Sequence, residues 1–199
     1  MEQETQPSGQ ESKTLRKKGN LKPPLVFGFE ILKIIIIALV IVLPIRYFLF
    51  QPFIVKGESM VPNLHSGDYL IIDEISYKFA DPKRGDIVVL KYPLDNSQRF
   101  IKRIVGLPGE TVNISDGKVA ITKDGKDIAL DETDYLPDLR NTDGVLNIVL
   151  KDNEYFVLGD NRQFSYDSRK WGVLPREDIV GKAWFRVFPN ASLVISPSY

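Results

Sequence analysis

No cysteine occurs among the 199 residues of the chain, so disulfide scaffolds, thiolate zinc sites and cysteine nucleophiles are excluded together. A single histidine, His65, leaves little from which to build a histidine-based metal centre. No metal and no cofactor are therefore expected, and catalysis has to rest on Ser, Thr, Lys, Tyr or carboxylates. Net charge is missing as well: 26 basic residues balance 26 acidic ones, which speaks against a generally basic nucleic-acid binder. With 43% hydrophobic residues the chain is too apolar to be disordered throughout. Its length allows one domain of ordinary size or two small ones.

Long apolar runs are absent except at one place. Residues 1–24 are a polar tail in which nothing apolar recurs at helical or strand spacing. From Leu25 the character reverses, and Ile34 to Ile45 is unbroken apolar sequence between Lys33 and Arg46. That core alone covers only about 18 Å as a helix, short of the ~30 Å hydrocarbon layer. Extended to Ile31–Phe50 it reaches about 30 Å, with Lys33 and Arg46 near the ends, where long basic side chains snorkel. Phe27, Phe29, Tyr47, Phe48 and Phe50 gather near the same ends, as an interfacial aromatic belt does. The segment 25–50 is accordingly expected to span a bilayer once.

A cleavable leader needs small residues after its apolar stretch, and the sequence from Arg46 to Pro52 is bulky instead. The helix is thus expected to remain as an anchor. Lys13, Arg16, Lys17, Lys18, Lys22 and Lys33 precede or open it, against only Arg46 and Lys56 close behind. This asymmetry favours a cytoplasmic N-terminus and an extracytoplasmic region over 51–199.

Residues 51–199 read as strands: Tyr69–Ile72, Asp86–Leu90, Phe100–Val105, Tyr155–Leu158 and Ala183–Phe188 are short, rich in β-branched or aromatic residues, and bounded by turn formers. Asp116-Gly117 and Asp124-Gly125 lie between apolar segments and predict tight hairpins. The expectation is a mainly β, antiparallel region with a hairpin insertion over about 108–152 and a polar loop at 133–142.

Three segments carry polar residues and glycines that strand packing does not ask for. The first is Gly57-Glu58-Ser59-Met60-Val61-Pro62-Asn63-Leu64. The second places Lys102 inside the apolar strand Phe100–Val105. The third, Gly159-Asp160-Asn161-Arg162-Gln163-Phe164-Ser165-Tyr166-Asp167-Ser168-Arg169, is dense in hydrogen-bonding side chains and is followed by Trp171-Gly172. Taken singly, each has a plain structural reading as a turn serine, a solvent-facing lysine or a self-satisfied loop. Asp167 and Arg169, at i and i+2, share one face of an extended segment and can pair.

In this order, behind a basic tail and an anchor, the three segments resemble those of the bacterial type I signal peptidases, or leader peptidases, over the whole chain. The resemblance implies a membrane-bound Ser-Lys endopeptidase that removes signal peptides from exported preproteins. It sits in a plasma membrane of bacterial type or a thylakoid membrane, its partners being preproteins and the lipid bilayer. It aligns Ser59 with the nucleophile, Lys102 with the general base, and Ser165 with a serine that hydrogen-bonds the lysine, supported by Asp167 and Arg169. Phe53, Val55, Met60, Phe100 and Ile101 align with positions lining shallow pockets that admit small residues, which implies Ala-x-Ala cleavage sites.

The chemistry has its own logic, because lysine takes a proton from serine only when it is neutral. A free lysine is roughly 0.4% neutral at pH ~8, so burial among Phe100, Ile101 and Ile104 has to lower its pKa. One departure is Gly57, which stands where some members carry a second serine for the oxyanion. The oxyanion hole is then expected to use backbone N–H groups of the Gly57 region, chiefly that of Ser59. Asn63 and Glu110 replace a threonine and an aspartate common in the family. Ser115-Asp116-Gly117-Lys118 also fits Ser-x-x-Lys, but on a predicted exposed turn. His65 reads as a surface loop residue, and Arg84-Gly85-Asp86 as the lead-in to a strand.

Overall fold

The computed structural model describes residues 24–48, 50–136 and 142–197, with α1 side chains described over 27–42. The polar tail, the aromatic side chains of Tyr47, Phe48 and Phe50, and part of the 133–142 loop lie outside the described residues. The chain divides into two units, Met1–Ile41 and Val42–Tyr199. The first carries most of α1 (Pro24–Phe48). Ile34, Ile35, Ile36 and Ile37, which at about 100° per residue point to four different sides of the helix, are all exposed. Among the described residues no helix is long and apolar enough to cross a membrane.

The second unit is mainly β, and its described strand pairings are all antiparallel. Its elements are β1 (Phe50–Ile54), β2 (Tyr69–Asp73), α2 (Ser76–Phe79), β3 (Ile87–Tyr92), β4 (Asp95–Gly106), β5 (Thr111–Ser115), β6 (Lys118–Lys123), β7 (Lys126–Ala129) and β8 (Leu146–Val149). There follow β9 (Glu154–Leu158), α3 (Ser168–Trp171), β10 (Leu174–Pro175), a 3₁₀ turn (Arg176–Asp178), β11 (Ile179–Phe188) and β12 (Ser192–Leu193). The larger sheet runs β1-β2-β11-β3-β4-β9-β10 with β12 beside β11, and the smaller runs β7-β6-β5-β8.

Both Asp-Gly pairs close two-residue hairpins. Asp116 and Gly117 have φ of 50° and 77°, and Asp124 and Gly125 have 51° and 73°. Two consecutive positive φ values are what this hairpin turn requires and what Asp-Gly supplies at low cost. The hairpins build the small sheet, whose face, through Val112, Ile114, Val119 and Ile121, packs with Val105, Phe156 and Leu158 of the large sheet.

The middle of the large sheet explains why β3 opens with an unbroken apolar run, Ile87–Leu90. Ile87 and Val89 enter one cluster, with Val55, Met60, Leu64, Leu70, Ile72 and Ile101, whereas Val88 and Leu90 enter another, with Ile104, Tyr155, Val157 and Leu174. A strand covered on both faces has no position for a polar residue. The neighbouring β4 pairs with β3 along its length but meets β9 only from Arg103 onwards. Its first part, up to Lys102, therefore keeps one open edge, and β1 ends the sheet with another.

Candidate active site

Ser59 lies on the turn after β1, and Lys102 on β4 at the last residue before β9 begins to pair. Lys102 Nζ is 2.9 Å from Ser59 Oγ and 2.9 Å from the Ile101 carbonyl oxygen. The lysine is only 4% exposed. Burial drives its pKa down from 10.5 to about 8, against the opposing pull of the Asp167 and Asp160 carboxylates. A lysine in such a site is half neutral near pH 8, where a free one is almost wholly charged.

Alternation along β4 separates two basic neighbours. Lys102 meets the serine, while Arg103, on the opposite face, is buried in a bidentate pair with Asp160, both contacts at 2.8 Å. Arg103 also donates to the Gly85 carbonyl and stacks on Tyr135. Asn63 Nδ2 donates to Asp160 and to the Tyr135 carbonyl, each at 2.8 Å. The serine turn, β4 and the 159–169 loop are thereby tied through one buried carboxylate.

That loop contacts the serine turn directly. The Asn161 N–H donates to the Ser59 carbonyl at 2.9 Å, and Asn161 Nδ2 to the Glu58 carbonyl at 3.0 Å. At Gly159 a Cβ would lie 2.5 Å from the Ser59 carbonyl oxygen and 2.2 Å from Ser165 Oγ, so only glycine permits the approach. Asp167 caps α3, accepts two bonds from Arg169 at 2.8 and 2.9 Å, and takes the Gly159 N–H at 3.0 Å. Burial alone would raise the Asp167 carboxyl; the Arg169 guanidinium and the Gly159 amide outweigh it and leave the pKa below the usual carboxylate range. Arg162 is buried, bonded to Glu132 and to the Gly159 carbonyl.

A cleft of about 280 Å³ opens beside the serine, lined by Phe53, Ile54, Lys56, Ser59, Ser97, Arg99 and Phe100–Lys102. Its two walls are the open edges of β1 and β4. Phe53, Phe100 and Ile101 line it as expected from the sequence. Val55 and Met60 do not: they are 1% and 0% exposed and are sealed in the core cluster with Ile101. Met60 begins the helical turn to Leu64, which rotates its side chain inward.

Ser165 is a second difference. Its Oγ is buried but does not bond Lys102, whose Nζ goes to Ser59 and Ile101; it lies towards the Asp167 carboxylate instead and helps to hold that group's pKa down. In the Gly57 region, Gly57 takes a φ of 85° and its N–H goes to Ser66 Oγ at 3.3 Å, which takes it away from an oxyanion. The Ser59 N–H has no acceptor among the described residues. Gly159, Asp160 and Asn161 were given no individual role in the sequence, where only the run Gly159-Asp160-Asn161-Arg162 marked them, and nothing marked Arg103 beyond its place beside Lys102.

The competing motifs fall elsewhere. Ser115 and Lys118 are exposed at the β5–β6 turn, and His65 is exposed on a loop. Asp86 is buried against Lys182 and the Tyr77 hydroxyl. Among the described residues no cluster of His, Asp or Glu could hold a metal ion.

The sequence profile of the signal peptidase family, peptidase S26, matches residues 28–188. The chain belongs to that family. The probable signal peptidase I-1 of Synechocystis is 38% identical over 178 residues, covering 83% of this chain and 85% of the relative. The signal peptidase I of Bacillus licheniformis is 36% identical over 189 residues, covering 90% and 95%. The signal peptidase I of Leptolyngbya laminosa is 38% identical, covering 83% and 81%. Matches of this extent make the chain a type I signal peptidase, a peptidase that removes signal peptides.

Proposed function

We propose that the enzyme cleaves by a Ser59 nucleophile and a Lys102 general base. The observation that carries this reading is the 2.9 Å contact between Lys102 Nζ and Ser59 Oγ, made by a lysine whose burial brings its pKa to about 8. Neutral Lys102 takes the Ser59 proton as Oγ attacks the scissile carbonyl. The ammonium so formed is stabilised by the charges of Asp167 and Asp160 and donates to the Ile101 carbonyl. Lys102 then gives its proton to the departing amine, and in deacylation it takes one from the attacking water and returns it to Ser59 Oγ as the acyl bond breaks, which regenerates the serine hydroxyl and the neutral lysine. The unengaged Ser59 N–H is the donor available to the oxyanion.

The preprotein binds as an extended segment in the cleft, where the open edges of β1 and β4 offer main-chain groups on both sides. Phe53, Phe100 and Ile101 face the segment. The sealed packing of Val55 and Met60 beneath them limits pocket depth, which suits small residues one and three positions before the cleaved bond, as in Ala-x-Ala. The segment 25–50 anchors the chain. An apolar helix exposed on every face, as α1 is over its described length, is stable in lipid and unstable in water. The basic tail keeps the N-terminus in the cytoplasm and the peptidase outside it.

The direct test is processing of one preprotein by the purified full chain. Ser59→Ala, Lys102→Ala and Lys102→Arg should each abolish it, arginine because it stays charged at any accessible pH. Retained activity in any of the three would refute the Ser-Lys assignment. Peptides with Ala, Leu or Phe at the two pocket positions test specificity, and equal rates for Phe and Ala would sink the shallow-pocket reading.

A further inference from the structure

The Ser59 N–H is useful to an oxyanion only if its peptide plane is held, and something other than Ser59 has to hold it. The Glu58–Ser59 bond is trans, since the cis bonds of the described chain are Val61-Pro62 and Phe188-Pro189. In a trans peptide the carbonyl and the N–H point in opposite directions. Fixing the Glu58 carbonyl therefore aims the Ser59 N–H. Two donors reach that carbonyl: the Val61 N–H, across the turn at 3.3 Å, and Asn161 Nδ2, from a separate loop at 3.0 Å.

Asn161 also brackets the residue from the other side, because its own N–H takes the Ser59 carbonyl at 2.9 Å. One residue thus grips both carbonyls that flank the nucleophile. The side chain makes this contact at a cost. Asn161 Oδ1 is buried with no hydrogen-bond partner, a condition native structures rarely tolerate without a reason. Turning the amide over would set Oδ1 against the Glu58 carbonyl, two acceptors face to face, so the orientation is dictated by Glu58 alone.

We infer that Asn161 is a positioning residue for the oxyanion donor: its amide pins the Glu58–Ser59 peptide so that the Ser59 N–H faces the developing negative charge. This rests on the Ser59 reading above. It does not involve Lys102, whose contacts lie elsewhere, and this separation makes it testable.

Asn161→Ala keeps the main-chain bond to Ser59 and deletes only the amide, while Asn161→Asp keeps the shape and sets a carboxylate oxygen against the Glu58 carbonyl. Removing an oxyanion donor outright costs about 10²–10³ in kcat. Loosening one that the Val61 N–H still restrains should lower kcat about 10- to 50-fold in the alanine variant, and further in the aspartate variant. KM should stay within about threefold. A substrate-like peptide aldehyde, which forms a tetrahedral adduct carrying the oxyanion, should lose affinity by the same factor as kcat. The pH limb of kcat/KM should stay where it is in the wild type.

A merely structural role would lower the melting temperature and leave the kcat-to-aldehyde correlation absent. Unchanged kcat, a shifted pH limb, or aldehyde affinity that fails to follow kcat would each overturn the inference. Ser59→Ala, assayed alongside, separates the two levels. If that variant is active, the Ser-Lys reading falls; if it is dead and Asn161→Ala and Asn161→Asp are normal, only the role of Asn161 falls.

Discussion

At the scale of single residues, the buried lysine is both the proposed general base and a stability liability. Lys102 titrates at about 8 in the fold against 10.5 in the ordinary state. Between those values the unfolded chain binds more protons than the folded one, so stability rises with pH through this window and the contribution is least favourable at or below pH 8. The shift corresponds to about 3 kcal/mol across the window. Lys102→Met should therefore melt higher than the wild type at pH 7, with the difference shrinking as pH approaches 10.5; a difference independent of pH would contradict the burial argument. The acidic neighbours act in the opposite sense. Asp167→Asn removes a charge that favours the ammonium and leaves Arg169 unpaired, so the activity limb of the variant should move to lower pH. A limb that moved up would show that Asp167 acts on Lys102 other than through its charge.

At the scale of elements, the site depends on a close crossing of the serine turn and the 159–169 loop. Gly159→Ala would drive a methyl group to 2.5 Å from the Ser59 carbonyl oxygen and onto Ser165. A displacement of the nucleophile by about 1 Å costs on the order of 10²-fold in rate, and we expect at least that loss in a preprotein assay; near-normal activity would mean that the turn and the loop can part without penalty. Much of this architecture was legible beforehand. The Asp-Gly pairs announced their hairpins because positive φ has a residue signature, and β3 announced itself because burial on both faces leaves an unbroken apolar run. Lys102 stood out, with Arg103 beside it, as a cation inside an otherwise apolar strand. Val55 and Met60, aligned with pocket positions by resemblance, misled, because the chain turns after β1 and packs both into the core cluster with Ile101. The ties from Asn161 and Asp160 to the serine turn were invisible, being contacts across about a hundred residues that no local pattern encodes. The short helices α2 and α3, each a single turn, were too brief to leave a period.

At the scale of the whole molecule, a chain of zero net charge carries one apolar helix ahead of its β peptidase region. If 25–50 spans the bilayer, the full chain should float with phospholipid vesicles, resist extraction by high salt and alkali, and come free in detergent; release by salt alone would make the attachment electrostatic. The central claim, a serine activated by a neutral lysine, is tested most directly by the pH dependence of kcat/KM for the full-length enzyme on a preprotein or signal-peptide substrate, which reports groups of the free enzyme. The expected profile rises through a limb with its midpoint near 8, the value to which burial brings Lys102. A midpoint near 10.5, as for a lysine in water, or one near 6.5, as for an imidazole base, would contradict the account.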